Sequence, residues 1–148
     1  MASEYLDLAK SLYPQEEQEQ EQEWSYFSEY NYDPIINSFG EVVLRKTIGE
    51  YQGDTYAIVK KGDLLGYLAI GWGSCSGCDA LKACSSHDDV AKLIGDIASN
   101  VRWGSAADLL HYFTTHDWEG DYIYHDEEFK EWKDEVVKWL EKEVAHEH

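Results

Sequence analysis

Positive charge is scarce in this sequence. Twelve Lys and Arg stand against thirty Asp and Glu, a formal net charge of −18. A surface of that sign repels nucleic acid and anionic lipid, so direct binding to either is not expected. No apolar run approaches the roughly 20 residues that a membrane-spanning helix needs. Also missing are GxSxG, HExxH and a glycine-rich phosphate-cradling loop, so no standard catalytic signature is present and no catalytic residue is assigned. Carboxylates are plentiful, but no spacing singles out a pair for acid–base work. No internal repeat is found. The chain opens with "MASEYLDLAKSLYP", where Glu4 and Asp7 stand in place of the basic and apolar stretches of a signal peptide. The expected location is cytoplasmic.

What is present is apolar mass. The chain has 148 residues and is 43% hydrophobic and 14% aromatic, enough to build a core in one domain. The acid is unevenly spread. Residues 1–33 carry nine acids and one base, and residues 105–148 carry thirteen acids and four bases. The middle is close to neutral and reads as an ordinary folded element.

Residues 3–13 predict a short helix with Ser3 as its cap and Pro14 as its stop. "QEEQEQEQE" (residues 15–23) is a solvated acidic linker by composition, and "WSYFSEYNYD" (residues 24–33) an aromatic arm. The folded domain is therefore expected over residues 34–148. Its first part, about residues 41–72, predicts an antiparallel β-meander. "EVVLRKTIGEY", "TYAIVK" and "LLGYLAIGWG" are strands separated by "QGD" and "KGD" turns. The third strand is apolar on both faces, as an interior strand would be. Gly66, Gly71 and Gly73 in it suggest bulges or close contacts.

Downstream, helical periodicity runs through "DDVAKLIGDIASNV", through "SAADLLHYFTTH" behind a Ser105 cap, and through residues 126–144. The fold class is α+β, with the meander covered by three or four helices.

"GSCSGCDALKACSSH" (residues 73–87) holds all three cysteines. Cys75-x2-Cys78-x5-Cys84-x2-His87 supplies the ligand set of a structural Cys3His zinc site. The five-residue separation is short for a finger, and Cys78 and Cys84 diverge on a continuous helix. The site therefore needs a break between them, or a fourth ligand such as His111, His116 or His125. A thiol–disulfide role is the second reading, since a CxxC at a helix mouth lowers a thiol pKa. The third is structural packing by small residues. The cofactor expected is structural zinc or none.

"DWEGDYIYHDEE" places Asp117, Glu119, Asp121 and Glu128 at the ligand positions of a calcium loop. Tyr122, however, stands where the loop requires Gly. A solvated acidic turn fits better.

The block "YQGDTYAIVKKGDLLGYLAIGWGSCSGCDALKAC", followed by "DWEGDYIYHDEEF", resembles small acidic bacteriophage proteins of unknown function. The resemblance covers residues 50–130 and not the N-terminal arm. It implies a phage-type origin, action in the host cytoplasm and little chemistry of its own.

The functional expectation is a non-enzymatic interaction protein. Its carboxylates would stand in for phosphates on a basic protein surface, such as a host nucleic-acid-binding defence effector. The residues expected to carry it are Glu127, Glu128, Glu131, Asp134, Glu135 and Glu141, with Tyr30 and Tyr32 as aromatic anchors. The alternative is a thiol- or metal-dependent enzyme centred on Cys75 and Cys78.

Overall fold

The computed structural model describes residues 2–12, 32–49, 52–73, 84, 86–118 and 126–146. Its elements are α1 (Ala2–Leu12), α2 (Asp33–Phe39), β1 (Glu41–Gly49), β2 (Gln52–Lys61), β3 (Leu64–Gly73), α3 (His87–Asn100), β4 (Arg102–Gly104), α4 (Ala106–Thr115) and α5 (Glu127–His146). The expected α+β meander is present. The four strands run antiparallel in the order β1-β2-β3-β4.

Strand alternation explains why the meander needs helices on both sides. Successive side chains point to opposite faces of a sheet. In β2, Tyr56 and Ile58 face one way, while Ala57 and Val59 face the other; all four are buried. Ala57, Val59, Leu68 and Ile70 pack with Ala9 of α1, with Ile35 and Ile36 of α2, and with Val90 and Ile94 of α3. Ile48, Tyr56, Ile58 and Leu65 pack with Leu109 and Phe113 of α4 and with Phe129, Trp132, Val136 and Leu140 of α5. The five helices of the described residues thus form two layers, one on each face of the sheet. Burying each large side chain contributes roughly 1.5–3 kcal/mol, so neither layer is dispensable against a net stability of about 5–15 kcal/mol.

A bulge sets the phase of β1. Val42 pairs with Val59 but Leu44 pairs with Ile58, leaving Val43 as the extra residue. After it, Arg45 lies on the α2 side and Lys46 on the α5 side. Arg45 pairs with Asp33 of α2, and Lys46 with Glu128 of α5 at 3.2 Å. The turn from β2 to β3 uses Gly62, whose φ of 61° is the left-handed conformation that short hairpin turns favour.

Three local outcomes differ from the sequence expectation. Helix α1 begins at Ala2, ahead of Ser3, and its Ala9 is fully buried in the core against the sheet. Helix α2 was not foreseen. It is seven residues long, with Pro34 in its first turn, where a missing N–H costs nothing. Strand β4 was also missed, because three residues are too few to show a period. The capping expectation at α4 holds and goes further. Ser105 and Asp108 form a reciprocal capping box, with both hydrogen bonds at 3.1 Å.

Candidate functional site

Helix α5 is positioned from both ends of its first turn. Asp126 caps it, its Oδ1 accepting from the backbone N–H groups of Glu128 (2.8 Å) and Phe129 (3.2 Å). Trp118, just after α4, is buried beneath it. The indole stacks on Phe113 with ring centres 5.4 Å apart, and its Nε1 donates to the Phe113 carbonyl at 3.0 Å. Trp118 also packs on Phe129, which fixes where α5 begins.

With Phe129, Trp132, Val136 and Leu140 buried, the helical period decides what faces solvent. Glu127, Glu128, Glu131, Asp134, Glu135 and Glu141 are all exposed. At 3.6 residues per turn they fall within about 140° of the helix circumference, on the side away from the core. From 127 to 141 the row extends about 21 Å along the axis. Glu127 pairs with Lys130 at 3.7 Å, and Glu128 with Lys46. Among the described residues, Glu131, Asp134, Glu135 and Glu141 make no ion pair. Lys138 and Lys142 share this face, so it is acidic but not uniformly so. Lys133 points elsewhere, its Nζ standing 5.8 Å over the Trp118 ring.

Of the two expected aromatic anchors, Tyr32 does not accompany the carboxylates. Tyr32 is 4% exposed and belongs to the core on the α1–α3 side of the sheet, so it is not available to a partner. Its position immediately before α2 turns the ring inward with Ile35 and Ile36. Tyr30 lies outside the described residues.

Of the cysteine cluster, Cys75 and Cys78 lie outside the described residues, as does His125. Cys84 and His87 are both buried, at 5% and 6% exposure. They do not share a helical face. Ser86 intervenes in extended backbone and caps α3 by accepting from the Asp89 N–H at 3.2 Å, so α3 starts at His87. Cys84 packs in the core with Val90 and Ile94. His111 and His116, the candidate substitute ligands, belong to α4 and its C-cap, on the other side of the sheet. His116 stacks on Tyr112, with ring centres 4.9 Å apart. Among the described residues, no three His, Cys, Asp or Glu side chains converge on a metal position.

The calcium positions divide similarly. Asp117 is exposed, Glu128 is engaged by Lys46, and Glu119 and Asp121 lie outside the described residues.

Sequence reasoning missed one buried polar group. Thr55 is 4% exposed, accepts from Trp72 Nε1 at 3.1 Å and shares a hydrogen bond with Thr47 at 3.1 Å. This ties the three long strands together where β3 leads toward the cysteines. An isolated Thr inside a β-branched run gives no signal of it.

Among the described residues, no helix is long and apolar enough to cross a membrane. Comparison with protein-family models, with curated proteins and with solved structures finds no match for this chain.

Proposed function

We propose that this chain is a non-enzymatic interaction protein whose α5 carboxylate face engages a basic protein surface. The supporting observation is the shared exposure of the six carboxylates, four of them without an ion pair among the described residues. With Lys138 and Lys142 on the same face, the six carboxylates leave about four net negative charges over about 21 Å, roughly one per 5 Å of axis against 3.4 Å per charge of one DNA strand. A groove built for a phosphate backbone would meet a row of the same sign along α5, at lower charge density. A host nucleic-acid-binding effector is therefore the partner class favoured here, in keeping with the resemblance to acidic phage proteins. The net charge of −18 adds long-range steering toward such a target.

The test is capture of bacterial lysate proteins on the immobilised chain, at low and at high salt, alongside a variant carrying Glu131→Gln, Asp134→Asn, Glu135→Gln and Glu141→Gln. The reading expects a captured basic protein that DNA displaces and that salt or the four substitutions release. Capture unaffected by salt and by the substitutions would refute it.

A further inference from the structure

A second surface lies at the turn end of the sheet, remote from the exposed face of α5. The exposed large hydrophobic side chains among the described residues are Leu64, at 50%, and Trp103, at 37%. Both line a groove of about 660 Å³ that is also walled by Tyr5 and Leu8 of α1, Phe39 of α2 and Lys61 of β2. That volume is in the range of small-molecule sites, which are mostly apolar with a few placed polar groups.

The aromatic wall is held in place. Trp103 pairs with Gly66 across β3 and β4, and its ring occupies the space a side chain at 66 would fill. Tyr5 in turn lies against Gly95 of α3. Both rings thus rest on glycine backbone, Trp103 on β3 and Tyr5 on α3.

The charge of the lining decides the class of ligand. Acids make up thirty of the 148 residues, yet none is among the described residues that line this groove. The charge present is the ammonium of Lys61; the other polar groups are the Tyr5 hydroxyl, the Trp103 indole N–H and the Ser38 hydroxyl, which donates to the Ile35 carbonyl. An apolar body would lie along Trp103, Leu64 and Leu8, with an anionic head at Lys61. We infer that the groove binds a small amphipathic carboxylate, an aliphatic chain ending in one anionic group. This assignment is independent of the partner proposed for α5.

Calorimetric titration with decanoate, 1-decanol and decyltrimethylammonium tests it on the full chain. The expected result is saturable 1:1 binding of decanoate, with a perturbed indole N–H resonance that is absent in Trp103→Phe. Lys61→Met should weaken decanoate by about 1.4-fold to fivefold, the range for a solvent-exposed charge contact, and leave decanol unchanged. Leu64→Asp should abolish decanoate binding while circular dichroism shows the fold retained. Absence of saturable binding, equal affinity for all three probes, or an unchanged affinity in Lys61→Met each overturns the assignment. So does sedimentation showing a dimer that Leu64→Asp dissociates, since a second copy would then occupy the groove.

Discussion

Gly66 and Trp103 face each other across β3 and β4 so closely that a Cβ at residue 66 would come within 2.8 Å of the indole. The same Cβ would lie 3.0 Å from Val101 Cγ1. Gly66→Ala should therefore drive the Trp103 ring off the strand, at a cost of about 1–3 kcal/mol for overpacking. At Gly53 the obstacle is backbone: a Cβ would sit 2.0 Å from the Ile48 carbonyl oxygen. A ring can swing away, but a carbonyl inside the β1–β2 ladder cannot. Urea denaturation should show Gly53→Ala as the more damaging of the two. Equal effects would mean that β1 yields at Ile48 as readily as a side chain does.

Ser105→Ala removes one half of the α4 capping box and leaves the Asp108 N–H without its acceptor. The expected loss is about 1 kcal/mol, within the usual range for a cap. Ser105→Gly should cost only a few tenths of that unit by the same measure, because Gly tolerates the cap position. Thermal unfolding of both variants checks the ordering.

Two buried tryptophans on the same side of the sheet make a matched comparison. Trp118 Nε1 donates to the Phe113 carbonyl, whereas Trp132 Nε1 is buried with no hydrogen-bond partner among the described residues. A buried unmade donor carries a desolvation penalty of about 1–3 kcal/mol. Trp132→Phe relieves that penalty while losing part of the ring, and Trp118→Phe orphans a carbonyl. Chemical denaturation should find Trp118→Phe the more destabilising; the opposite order would show that ring volume outweighs the polar contribution.

Cys84 is packed among aliphatic side chains, so a scaffold role predicts a specific response to substitution. Cys84→Ser would bury a hydroxyl there and should cost roughly 1–3 kcal/mol. The loss should be the same in chelator-treated and zinc-supplemented protein. A loss confined to the zinc-loaded protein, with zinc released in Cys78→Ser, would instead make Cys84 a ligand of a structural site.

The α+β meander and the α4 and α5 faces were legible because each carries a long, regular period. Phe129, Trp132, Val136 and Leu140 announce one helix face, and the exposure of Glu131 and Asp134 follows from it. Tyr32 was not legible, because its burial depends on α2, whose seven residues offer a Pro and one Ile pair instead of a period. Cys84 and His87 suggested a shared helical face by spacing alone, and the extended Ser86 between them breaks that geometry. The groove at Trp103 could not be read at all. It joins α1, α2, the β2–β3 turn and β4, which are far apart in sequence and meet only through the fold.

The extra residue at Val43 is taken up locally, at the bulge in β1. Excising it would let Leu44 follow Val42 directly, in plain alternation opposite Ile58 and Val59, so Arg45, Lys46 and Ile48 would keep their present faces and partners. Val43 is therefore spare length in the strand, and its loss should spare both ion pairs.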